Sequence, residues 1–96
     1  MEALNRKPDL ASRRSFMLDA DTRIDEIGMT VRDARRIASR KDLTDEDKGL
    51  YVIAAKILVN GKPIVYDDLM DCFTTEELES ITAFLYPDKE ADEKNV

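Results

Sequence analysis

Ninety-six residues, 43% of them apolar, are enough for one small hydrophobic core and no more. Charged residues reach 38%, well above the ~25% of an average domain, and 15 Lys/Arg against 21 Asp/Glu leave a net charge of −6. There is no His, and Cys72 is the only cysteine, which removes the usual general base, the commonest metal ligand and any intramolecular disulfide.

No apolar run approaches the ~20 residues that cross a bilayer, and the N-terminus has no apolar signal segment. With a lone cysteine, this reads as a soluble protein of a reducing cytoplasm with no membrane partner. The charge is uneven. Residues 1–41 hold ten Lys/Arg against seven Asp/Glu, and residues 42–96 hold five against fourteen. A basic first half and an acidic second half would attract copies of the chain head to tail; a chance distribution of surface charge explains the same numbers.

In chain order, residues 1–15 show no sustained period, contain Pro8 and read as a mobile arm or a fraying short helix. Phe16-Met17-Leu18 is an apolar island, either a short strand or an anchor onto the core, before a loop at Asp19-Ala20-Asp21-Thr22. Three helix starts follow, each a Thr with an acidic residue three positions on: Thr30/Asp33, Thr44/Asp47 and Thr74/Glu77. The hydroxyl accepts an orphan first-turn N–H while the carboxylate reaches back to the cap. Thr74/Glu77 is best marked, because Phe73 and Leu78 occupy the two positions of a hydrophobic staple.

The first helix is predicted from Thr30 to about Lys41-Asp42, with Val31, Ala34, Ile37 and Ala38 on one side. The second, from about Asp45 to Leu58, is apolar nearly all round and is expected to be the central helix. Asn60-Gly61 is a strong turn signal. Residues 56–59 and 62–66 either pair there as a short hairpin, with Pro63 confined to an edge, or follow a helix that simply ends. Asp67 or Asp68 then caps a short helix through Leu69, Met70 and Cys72. The last helix runs from Phe73 to Tyr86 and is stopped by Pro87. Residues 88–96 have no core-forming content and read as a disordered acidic tail. The expected fold is therefore mainly α: a single helical domain over residues 16–87, of three or four helices, with a hairpin or extended segment around Asn60-Gly61.

Neither catalytic, cofactor-binding nor metal-binding residues are expected. The Asp groups at 45–47 and 67–71 lack the Gly and bidentate Glu spacing of a calcium loop, and Cys72, between Met70 and Phe73, reads as a buried structural thiol. Two protein-binding surfaces are expected instead. Arg32, Arg35, Arg36 and Arg40 fall at i, i+3, i+4 and i+8, a basic helical stripe suited to an acidic protein surface. Nucleic acid is disfavoured by the overall charge of −6 and the lack of an aromatic platform. Leu78, Ile81 and Leu85 line one side of the last helix, and the apolar surplus of the second and last helices is expected to form a groove or an interface between copies.

From Tyr51 to Tyr86 the chain resembles the small tail assembly chaperones of long-tailed bacteriophages. The resemblance lies in a helix running into an Ile/Val-rich end (Ile53-Ala54-Ala55-Lys56-Ile57-Leu58-Val59), a Gly turn followed by Lys-Pro (Asn60-Gly61-Lys62-Pro63), an aromatic beside acids (Tyr66-Asp67-Asp68), and a final helix from Glu76-Glu77-Leu78 to Leu85. It covers about the C-terminal half. It implies a non-enzymatic protein of the host cytoplasm that binds and solubilises the long helical tape measure protein, helps bring tail tube protein to it, and self-associates. A longer, frameshifted form is also common in such families. Glu93-Lys94-Asn95 is compatible with the slippery codons GAA-AAA-AAC, and any other codon choice in the gene excludes it. The alternative is a small acidic regulator or inhibitor that occupies a basic site on a host protein.

Overall fold

Phe16 and Leu18 point inward and Met17 outward, the two-residue alternation of a strand. The computed structural model describes residues 4–87. Residues 1–3 of the arm and the acidic segment 88–96 lie outside the described residues. The elements run β1 (Arg14–Asp19), β2 (Thr22–Glu26), α1 (Val31–Ala38), α2 (Asp45–Ala55), β3 (Ile57–Val59), β4 (Lys62–Pro63), α3 (Tyr66–Cys72) and α4 (Thr75–Leu85). β1 therefore begins two residues inside the segment read as an arm.

The four strands form one antiparallel sheet in the order β1-β2-β3-β4. This overturns the mainly α expectation: among the described residues the fold is α+β, with four helices and a four-stranded sheet. The reason is physical. β2 reads Thr-Arg-Ile-Asp-Glu, and its only large apolar residue, Ile24, is completely buried. Its other positions are a turn end and two ion pairs, so no apolar alternation announces it.

At the second hairpin the helical pattern stops early. α2 ends at Ala55, three residues short of the expected Leu58, and the Ile57-Leu58-Val59 run pairs with both β2 and β4. Asn60 at φ 52° and Gly61 at φ 80° make the two-residue connection, the positive-φ pair that matches strand twist. Of the two readings open at this turn, the structure takes the hairpin.

Asn60 also joins the two hairpins. Its Oδ1 accepts from Arg23 N at 2.8 Å and its Nδ2 donates to Asp21 O at 3.1 Å. Its own N–H donates to Arg23 O at 2.9 Å. One side chain thus sets the register between the β1–β2 turn and the β3–β4 turn.

The core consists of Ile24, Ile53, Ala54, Ile57, Leu69, Ile81 and Leu85, with Phe16, Leu18, Leu50 and Phe84 among those packed against it. β2, β3, α2, α3 and α4 all contribute; α1 contributes no buried residue. Helix α2 packs against both α1 and α3, but it is not covered all round as expected: only Ile53 and Ala54 are buried, and Ala55 is exposed. The opposite face of the sheet carries Ser15, Met17, Arg23, Asp25 and Leu58, according to the strand register. Asp25 is buried there under the Arg23 guanidinium, which donates from Nε at 3.1 Å. No helix among the described residues is long and apolar enough to cross a membrane.

Candidate protein-binding surface

Helix α1 starts as its sequence predicts. The Thr30 hydroxyl accepts from Asp33 N at 3.1 Å. The helix then stops at Ala38, with Ser39 as its C-cap, rather than at Lys41-Asp42. This truncation splits the expected stripe. Arg32, Arg35 and Arg36 remain on the helix and are exposed. Arg40 lies past the end, where it donates to Asp42 at 2.6 Å and sits 4.9 Å from the centre of the Tyr51 ring. Its hydrogen bond to Asp42 holds that carboxyl below its ordinary range. Arg40 is therefore a structural clamp, not part of the basic face.

Arg36 pairs with Asp33 at 3.4 Å, whereas Arg32 and Arg35 make no ion pair among the described residues. Val31, at the start of the same helix, is 76% exposed. The three arginines, Val31 and Ser39 line a shallow depression of about 620 Å³ on the outside of α1. An exposed valine beside arginines without ion pairs is a combination compatible with an interface, where arginine is enriched.

The other expected surface is elsewhere than the spacing suggested. Ile81 is completely buried and Leu85 nearly so, in contact with the core, and Leu78 packs beside them. Phe84 meets Phe16 of β1 at 4.6 Å between ring centres. The sheet occupies the face that a partner was expected to cover, so these three residues are not a docking groove. The apolar side chains that do stand in solvent come from elsewhere, among them Met17 at 56%, Val65 at 64% and Met70 at 49%. Val65 is the N-cap of α3 and Met70 lies within it, and the Asp67 and Asp71 of that helix are exposed and unpaired among the described residues. Cys72, at the end of the same helix, is exposed rather than the buried thiol expected.

Two further features were not foreseen. The first is a stack of Tyr51 on Tyr66, 4.4 Å apart and 10° from parallel. Tyr66 donates its hydroxyl to Asp47 Oδ1 at 3.1 Å, which pushes the Tyr66 pKa up. With Arg40 over Tyr51, this cluster ties the end of α1, α2 and α3 together on the surface. The second is a groove of about 560 Å³ between residues 6–13 and the β2–α1 connection. Gly28 lets that segment approach: its N–H donates to Leu10 O at 3.4 Å, and a Cβ there would meet Leu10 Cδ2 at 3.1 Å. Arg13 and Lys56 line the groove opposite Glu26, whose pKa is lowered mainly by its hydrogen bond to Arg14. The only signal in the sequence was a glycine set between Ile27 and Met29. The set of His, Cys, Asp and Glu needed to hold a metal ion does not assemble among the described residues.

Comparison with protein-family models, curated proteins and solved structures finds no match. The surface itself is therefore the ground for a functional reading.

Proposed function

We propose that this chain is a non-enzymatic assembly chaperone of the phage tail type, acting in the host cytoplasm. It binds the tape measure protein, keeps it soluble and brings tail tube protein to it, and it associates with copies of itself. The observation that carries this reading is helix α1. It is capped, buries no residue, and holds Val31 in solvent beside Arg32 and Arg35, two arginines without ion pairs among the described residues. A helix of that kind adds little to the core and offers an apolar contact with a cationic rim, the composition that suits a long amphipathic partner helix. Val65 at the N-cap of α3 and Met70 within it are further exposed apolar residues open to such contacts.

A second reading is supported by the exposed, unpaired Asp67, Asp71 and Glu79, which suit an acidic regulator seated on a basic site of a host protein. Capture of the tagged chain from phage-producing cells, with mass spectrometry of what co-purifies, separates the two. The chaperone reading expects a very long helical phage protein that stays bound at high salt, because apolar contacts are little screened. Recovery of a single host protein, released as salt rises, overturns it in favour of the regulator. Reversing charge at Arg32 and Arg35 together is expected to weaken capture of the phage protein about tenfold or more, with folding unchanged.

A further inference from the structure

The two edges of the sheet are protected to different degrees. β4 is two residues long and contains Pro63, which has no N–H to offer a neighbour. β1 is six residues long, contains no Pro, and has uncharged residues at 15–18. Its open side carries free backbone groups. Arg23 exchanges hydrogen bonds with Asn60, and Ile27 N donates to Lys56 O at 2.8 Å, so the odd residues of β2 face β3. Its even residues Ile24 and Glu26 therefore face β1, where they pair with Phe16 and Arg14. By the alternation of an antiparallel ladder, the N–H and C=O groups of Ser15 and Met17 point away from the sheet. Both residues are exposed.

We infer that β1 pairs antiparallel with β1 of a second copy, joining two four-stranded sheets into one of eight strands about a two-fold axis. Charge selects this occupant and this direction. Arg13 stands just before the strand and Asp19 at its end; the Arg13 guanidinium donates to Asp9 O at 3.2 Å and the Asp19 carboxylate accepts from Asp21 N at 2.8 Å, but neither has an ion-pair partner among the described residues. Antiparallel self-pairing sets the start of one strand against the end of the other. Of the two-fold registers that use the outward groups, the one centred on the strand sets Ser15 opposite the partner's Met17 and Phe16 against its own counterpart on the axis. The outward ladder is confined to residues 15–17, because Arg13 N donates to Glu26 O at 3.2 Å and Asp19 pairs with Thr22; beyond it the Arg13 side chain is brought toward the partner's Asp19, and symmetry makes that attraction twice. The irregularity between Met17 and Asp19 bends the last residues of the strand, and the long arginine side chain spans the bend. Parallel pairing would set Arg13 on the partner's Arg13 and lose both attractions.

This inference rests on the self-association named in the proposed function and gives it a surface. It is tested on the purified full-length chain alone, so its failure removes the strand-edge dimer and leaves capture of the phage protein to decide the chaperone reading. Sedimentation over a concentration series should show a monomer becoming a dimer. Amide hydrogen exchange should show the Ser15 and Met17 N–H groups slowing as the dimer forms. R13D should weaken the dimer about tenfold by setting like charges opposite each other twice, and the double reversal R13D/D19R should recover most of that loss. A monomer at every concentration overturns the inference. So does a dimer whose Ser15 and Met17 amides exchange as in the monomer, or a double reversal no better than R13D alone. The exchange measurement uses the unaltered chain and holds even where a variant fails to fold.

Discussion

Helices α1 and α4 both begin on a threonine whose hydroxyl accepts the N–H three residues on, at 3.1 Å in each case. α4 then buries Ile81 and Leu85, while α1 buries nothing. The local grammar of the two is the same, with an acidic first turn and apolar residues at helical spacing. The difference lies in what stands opposite. α4 lies against β1, through Phe84 on Phe16 and the Arg14 guanidinium donating to Phe84 O at 3.0 Å. α1 packs on α2 and buries no residue. Amphipathic spacing shows that a helix has two faces, and only the neighbouring elements decide whether the apolar one meets the core or a partner.

The contrast is open to attack at three points. Ile81→Asp places a carboxylate where no side-chain oxygen can be solvated, and it should cost about 4 kcal/mol or more and leave the chain unfolded by circular dichroism. A folded Ile81→Asp protein would return α4 to the surface and erase the distinction between the two helices.

Arg14 is the second point, because it fastens β1 to α4. It donates to Glu26 from Nε at 2.8 Å and sits 4.8 Å from the Phe84 ring centre. Arg14→Ala should cost about 1 kcal/mol in denaturant unfolding, a modest figure because the arginine is 44% exposed and solvent screens the pair. The pH dependence has a definite sign. The Arg14 hydrogen bond, opposed by partial burial and aided by nearby cationic charge, lowers the folded pKa of Glu26 below its ordinary 4.5. That contribution is present above about 4.5 and is lost as pH falls through the lower folded value. Wild type and Arg14→Ala should therefore converge in stability on acidification. A gap that stays constant into acid would show that Arg14 acts by packing alone.

The smallest effect is expected on α1. Arg32→Ala and Arg35→Ala should each change stability by less than about 0.5 kcal/mol, as surface substitutions without ion-pair partners do. A melting shift beyond that would mean that α1 belongs to the cooperative unit in the way α4 does.

What the amino-acid sequence reveals here follows the range of the interaction. All three threonine caps are present, since each depends on groups three residues apart. Only Thr74/Glu77 closes reciprocally, with Glu77 Oε1 accepting from Thr74 N at 2.9 Å. The aspartates at the same position in the other two boxes turn instead to Arg36 and to the Tyr66 hydroxyl. At α3 the order is altered: Val65 is the N-cap, and Asp68 accepts its N–H at 3.0 Å. The Asn60-Gly61 turn was legible for the same local reason. β2 was not, because its strand character comes from partners on either side rather than from its own residues. Nor was the fate of the last helix, since nothing between Phe73 and Tyr86 states that a sheet waits beside Ile81. Of the expected binding residues, Arg32, Arg35 and Arg36 remain exposed on α1, Arg40 is drawn off to Asp42 and Tyr51, and Leu78, Ile81 and Leu85 are drawn inward.

The Asn60 bridge also bears on the order in which the chain folds. Each hairpin closes over a two-residue turn and needs only local search. Their union does not: Asn60 bonds to Arg23 across 37 positions of chain, with both α1 and α2 inside the loop. That closure carries the largest entropic penalty of the sheet, and the Asn60 side chain adds two hydrogen bonds to the backbone ladder that makes it. Asn60→Ala should therefore slow refolding, since β2 and β3 would have to find their register without it, while each hairpin still forms at its own rate.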